Sequence, residues 1–132
     1  MGLLGSIVIP LDVGTATYDA ASVGVKPVPK RFIVPSFLTQ RSIIGAKLIL
    51  SYVWAATADG TIRLYDYTAG AAVAQTTTKV GGESSVREEV SIPAPWTLIG
   101  HEVGVDINIT VAGAAGEAVT LRGALLKIDL AA

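Results

Sequence analysis

The chain is 132 residues long, carries 10 Lys and Arg against 11 Asp and Glu for a formal net charge of −1, and has one histidine and no cysteine. This length suits a single domain with one core, and the lack of cysteine excludes disulfides, thiolate zinc sites and thiol chemistry. Basic residues are few and scattered, so the electrostatic footprint of a nucleic-acid binder is missing and no nucleic-acid partner is expected.

Ser6 to Val13 (SIVIPLDV) predicts a first strand, with Pro10 tolerated only at an edge or bulge. From Thr15 to Gln40 the chain carries Gly24, Pro27, Pro29 and Pro35, which predicts a proline-rich extended arm whose one plausible strand is RFIV. Ala46 to Ala56 sets Ala46, Leu48, Leu50, Tyr52 and Trp54 on one parity. The other parity is also mostly apolar, which predicts a central strand covered on both faces. TADG (57–60) is a turn signal leading by a hairpin into TIRLYDY (61–67), with Ile62 and Leu64 inward and Arg63, Tyr65 and Tyr67 outward. Ala71 to Val80 is a small, Thr-rich strand, and Val86, Val90 and Ile92 share the core parity of another that stops at Pro93 and Pro95.

The clearest segment is HEVGVDINITVA (101–112). Val103, Val105, Ile107, Ile109 and Val111 alternate with Glu102, Gly104, Asp106, Asn108 and Thr110, the period of a strand with one face in the core and one in water. A hairpin through Gly113–Gly116 follows. In the last strand the apolar parity slips, from Val119 and Leu121 to Ala124, Leu126, Ile128 and Leu130, which predicts a β-bulge at Gly123. About eight strands, turn signals roughly every ten residues and no amphipathic helix predict an all-β fold: one antiparallel β-sandwich, jelly-roll-like.

Half of the residues (51%) are apolar and only 16% are charged, which raises the question of a membrane. The most apolar run, Leu48 to Ala56, is far short of the ~18 residues of a spanning helix. A transmembrane β-barrel would call for more than the two Trp, four Tyr and two Phe present. MGLLGSIVIPLD has no basic start and meets Pro10 and Asp12 early, so no secretory signal is expected. The apolar excess is read instead as tight sheet packing and contacts with other subunits.

From Ile43 to Leu130 the phrases GAKLILSYVW, DGTIRLYDYTAG, GHEVGVDINITV and VTLRGALLKIDL resemble the small jelly-roll sandwiches of virion proteins, especially of archaeal viruses and phages. The resemblance implies an eight-stranded, self-associating structural unit in a virion or extracellular assembly. It carries over no functional residue.

No motif bears catalysis, a cofactor or a metal. His101 would have to serve any Ser-His-Asp triad, and no Gly-x-Ser-x-Gly elbow precedes it. One His without Cys is a poor zinc set. Asp66, Glu88, Glu89, Glu102 and Asp106 are read as solvated charges on outer strand faces rather than as a glycosidase pair, and Asp59 as a turn residue rather than a calcium ligand. The candidate interaction surface is aromatic: Arg63, Tyr65 and Tyr67 on one outer face, Trp96 in the PAPWT loop, and Phe32 and Phe37 of the arm. Cross-strand packing is the plainer reading of the tyrosines, whereas Trp54 belongs to the core. The sequence thus predicts a non-enzymatic structural protein forming a homo-oligomer or binding other structural proteins. A carbohydrate-binding or adhesion module on the Tyr65/Tyr67 face is the alternative.

Overall fold

The computed structural model describes residues 3–38 and 42–131. They form nine strands: β1 (Leu3–Pro10), β2 (Ala16–Asp19), β3 (Gly24–Ile33), β4 (Ile43–Val53), β5 (Asp59–Asp66), β6 (Ala71–Gln75), β7 (Ser84–Ser91), β8 (Glu102–Val111) and β9 (Ala118–Ala131), with one short 3-10 turn, Pro95–Leu98. The first sheet runs β1-β9-β4-β7 and the second β3-β8-β5-β6. β2 continues β1 along the same edge of β9, pairing Ala16–Asp19 with Ala118–Leu121 while β1 takes the stretch up to Ala131. Nine strands therefore fill eight positions. All pairings are antiparallel. This strand order, with the chain alternating between sheets, is that of a jelly roll.

The inward parities of both sheets make the core. Leu48, Leu50 and Tyr52 of β4 with Trp54 just after it, Ile62 and Leu64 of β5, Val103, Val105, Ile107 and Ile109 of β8, and Leu121, Ala124 and Leu126 of β9 are all buried in one cluster. Trp54 satisfies its indole N–H on the Ala58 carbonyl at 2.8 Å, so a large ring is buried without an unpaired donor. β4 is central, between β9 and β7. The parity slip of β9 is a bulge: Ser51 pairs Gly123 and Tyr52 pairs Leu121, leaving Arg122 as the extra residue.

Several expectations are corrected. TADG and Gly113–Gly116 carry the chain from one sheet to the other rather than closing hairpins; among consecutive described strands only β5 and β6 pair with each other. Turn chemistry fixes that the chain reverses, while the pairing partner is chosen by where the apolar faces meet. These inter-sheet turns are tied at one end of the sandwich, where the Glu117 carboxylate accepts the Thr57 N–H and hydroxyl and Gly113 donates to the Ala20 carbonyl.

The strand expected over 71–80 stops at Gln75, and Lys79 re-engages Gly60 through an isolated bridge. Val111 is exposed at the end of β8, where the opposing strand begins at Asp59. Val86 leaves the core parity because β7 also has an extra residue, Leu50 pairing Glu88 but Tyr52 pairing Ser85. The proline-rich segment is extended, yet it holds two strands instead of RFIV alone. β2 and β3 are edge strands of the two sheets, and pairing of β3 with β8 is interrupted between Pro27 and Arg31, where prolines lack the N–H a ladder needs. Thr39 and Gln40, at the end of that segment, lie outside the described residues.

Candidate interaction surfaces

Parity places Arg63, Tyr65 and Tyr67 on the outer face of the second sheet, as the alternation requires. Beside them lies a shallow depression of about 270 Å³ lined by Val25, Pro27, Arg31, Arg63, Tyr65, Tyr67 and Asp106. Its groups are engaged with each other. Arg63 donates through Nε and Nη2 to both oxygens of Asp106 at 2.7 and 2.9 Å, a bidentate pair whose hydrogen bonds raise the guanidinium pKa. Arg31 lies 3.6 Å from the Tyr67 ring centroid and 3.0 Å from Glu102, and Tyr65 meets Tyr67 edge-on at 5.0 Å. Tyr67 also crowds Gly104, where a Cβ would come within 3.0 Å of its ring. At Asp106 this side of β8 is therefore not wet: the residue is 2% exposed, and the expectation of a solvated carboxylate is corrected because Arg63 neutralises it in place.

Asp66 is corrected in the same way. It ends β5, is 2% exposed, and caps the turn into β6 by accepting the N–H groups of Thr68 and Ala69. Its other oxygen lies 2.7 Å from Nδ1 of His101. Burial pushes the Asp66 carboxyl up, but the hydrogen bonds from His101, Ala69 and Thr68 outweigh burial and hold it below the usual carboxylate range. An ionised carboxylate only accepts, so Nδ1 of His101 carries the proton. The pair fastens the β5–β6 turn to the start of β8. Among the described residues, no group of three or more His, Cys, Asp or Glu is arranged to hold a metal ion, and no helix is long and apolar enough to cross a membrane.

The other predicted surface residues separate. Phe37 is 78% exposed and Trp96, on the 3-10 turn, is also exposed; their loops are joined by reciprocal hydrogen bonds of Val34 with Gly100 and His101. Ala94, in the left-handed region at φ 46°, is the strained residue that sets up this turn. Phe32 does not belong with them. It lies on the inward parity of β3 and packs against the core, opposite Val103.

A second apolar surface, absent from the predicted set, is the outer face of the first sheet. Pro10, Leu125 and Ile49 form one cross-strand row over β1, β9 and β4, and Val8 follows in the next row. The bulge of β7 adds Val86, which is 86% exposed. Together with Ser51, Arg87 and Gly123, the residues Ile49, Leu125 and Val86 line a depression of about 340 Å³ that opens to solvent. Lys47, Lys127, Asp129, Arg87 and Glu89 rim it in pairs at 3.5 Å. The signal was in the sequence, in the apolar second parity of β4. Ile49 is itself buried there at 8% exposure and Leu125 is half-buried, as the expected cover requires, while Val8, Pro10 and Val86 around them are exposed.

No protein-family model matches this sequence, and no curated protein matches it. Among solved structures, the chain is similar to the Tobacco streak virus coat protein, determined as a dimer, with a TM-score of 0.45 and 14% identity over 96% of this chain and 87% of that one.

Proposed function

We propose that this protein is a non-enzymatic structural component that self-associates, as a subunit of a virion or surface assembly. The observation that carries the reading is the apolar band across the outer face of the first sheet, Pro10, Leu125, Ile49 and Val86 with a charged rim. An apolar patch bordered by polar residues marks an association surface. Its contrast with the second sheet supports the reading, since there Arg63, Asp106, Arg31 and Glu102 satisfy one another. The jelly roll hosts capsid domains among other functions, so topology alone does not decide the matter.

The carbohydrate-binding alternative would use the depression beside Tyr65 and Tyr67. Against it, Arg31 already stacks on Tyr67, whose edge packs on Gly104, so a sugar would have to displace a formed contact. Size-exclusion chromatography with light scattering, together with electron microscopy, tests the proposal. A defined oligomer or particle is the expected result. A monomer at every attainable concentration overturns it, and glycan binding by that monomer would establish the alternative.

A further inference from the structure

β1 is an edge strand, and the phase of its ladder shows which backbone groups face outward. The Leu11 N–H donates to the Ala124 carbonyl at 2.7 Å, one step past the last strand pair, Pro10 with Leu125. Hydrogen-bonded pairs alternate in an antiparallel ladder, so Ile9 and Ile7 bond β9, while Ser6, Val8 and Pro10 turn their backbone groups away from it. Pro10 fits this phase, because a proline there removes no N–H from the ladder. Among the described residues, the N–H groups of Ser6 and Val8 have no acceptor. The other edges are protected against strand pairing. Pro27 and Pro29 break the N–H row of β3, Arg87, Glu88 and Glu89 with a bulge occupy β7, and β2 and β6 span only four and five residues. β1 runs for eight residues, LLGSIVIP, with no charged side chain. An edge of this kind is a template for another strand.

We infer that β1 pairs antiparallel with β1 of a second copy, about a two-fold axis that passes between the two Ile7 residues and joins the first sheets edge to edge. An isologous contact requires each patch to be its own complement. In this register Ser6 of each chain stands opposite Val8 of the other, so the free N–H groups of Ser6 and Val8 meet the outward carbonyls of Val8 and Ser6. The side chains agree. On the inward parity Ile9 is 3% exposed but Ile7 only half-buried, and the axis sets Ile7 against its own copy. The apolar row Ile128, Ile7 then continues into Ile7 and Ile128 of the second copy. On the outer face the same register gives the row Lys127, Val8, then Ser6 and Asp129 of the second copy, so no like charges are opposed. The occupant is a second copy because backbone phase, apolar row and charges all close on themselves about Ile7. This inference rests on the self-association reading and specifies its geometry.

Three measurements test it. Val8→Pro removes an outward N–H and nothing from the β9 ladder, so it should leave far-UV circular dichroism and thermal midpoint close to wild type. It should weaken association by roughly tenfold or more, the effect of losing a hydrogen bond at each of two symmetric positions. Amide hydrogen exchange followed by NMR should show Ser6 and Val8 slowing as concentration rises through the association range, with Ile7 and Ile9 slow throughout. The chain has no native cysteine, so single cysteines report the register. Ile7→Cys puts two thiols on the axis, at a non-hydrogen-bonded pair with Cα atoms ~4.5 Å apart, and oxidation should give a covalent dimer. Val8→Cys is the more exposed thiol but stands diagonally from its copy at ~7–8 Å, and should stay unlinked. If the wild type associates while Ser6 and Val8 exchange at one rate at all concentrations, or while Val8→Cys links as readily as Ile7→Cys, this geometry is wrong and self-association stands. Should Val8→Pro fail to fold, exchange and cross-linking still decide. If the wild type is monomeric at every attainable concentration, both fall.

Discussion

Ile107 and Asn108 are neighbours in the chain and stand on opposite faces of β8, the first fully buried between the sheets and the second half-exposed. Ile107→Asp places an unpaired carboxylate in the core and should unfold or insolubilise the protein. Asn108→Asp should leave the thermal midpoint nearly unchanged, and equal effects would contradict the register. Gly60 is fixed by a different constraint. A Cβ there would overlap the Asn108 carbonyl oxygen and lie 3.1 Å from Ile109 Cα, both backbone, so neither can yield as a side chain could. Gly60→Ala should cost about 1–3 kcal/mol in denaturant unfolding, the range of overpacking. Asp66 sets an acid dependence. Its folded pKa lies below the unfolded value, so its contribution is present above the ordinary carboxylate value of ~3.9 and is lost as pH falls through the folded pKa. Asp66→Asn should therefore flatten the acid limb of the stability–pH curve and lower stability at neutral pH.

At the scale of strands, what the sequence made legible was parity, because burial on one face of a pleat is written directly into residue order. Ala46 to Trp54 alternates as expected, and the slip in the last strand is a true bulge. Sheet membership was not legible, since a strand that crosses to the opposite sheet and one that folds back present the same alternation. The β7 bulge escaped because its two residues opposite Ser51, Val86 and Arg87, do not break an otherwise plausible alternation. The polar pairs escaped for the reason that alternation is blind to partners 9 to 71 positions away. Lys79 shows this best. It is buried on the connection after β6, its Nζ 2.9 Å from Glu88 Oε1, the oxygen to which the Tyr52 hydroxyl also donates. Since β7 carries Glu88 and the bridge partner of Lys79 is Gly60 of β5, this cluster ties the two sheets together along one side. Lys79→Met and Glu88→Gln should each destabilise, because each leaves the other partner incompletely paired. The double variant should lose less than their sum, and a double-mutant cycle should return a coupling of roughly 0.5–3 kcal/mol. Additivity would show that the cluster contributes nothing to holding the sheets.

For the molecule as a whole, the decisive region is the proline-rich segment, where alternation is weakest. Its prolines predict extended geometry, and extended geometry fits equally an arm that crosses to a neighbour or an edge strand of the same subunit. The apolar residues resolve the ambiguity. Val28 and Val34 are buried in the common core, Phe32 packs against it, and β3 covers one edge of β8 from Gly24 to Ile33. Only the alternate positions remain outside: Val25 and Ile33, with Phe37 beyond the strand, are exposed. Deleting Val23 to Phe37 would remove an entire strand, uncover the edge of β8 and open the core at Val103, Val105 and Ile107. It should therefore abolish cooperative thermal unfolding and the far-UV β signal, rather than dissociate folded subunits. Ile33→Ser with Phe37→Ser changes only exposed positions and should leave the melting transition in place. A deletion variant that kept native strand content and cooperative melting would show that β3 is dispensable to the subunit and that its burial belongs to assembly. Retained folding in the serine variant together with collapse of the deletion is the outcome expected of a segment whose inner parity builds the core and whose outer parity is left for contacts beyond it.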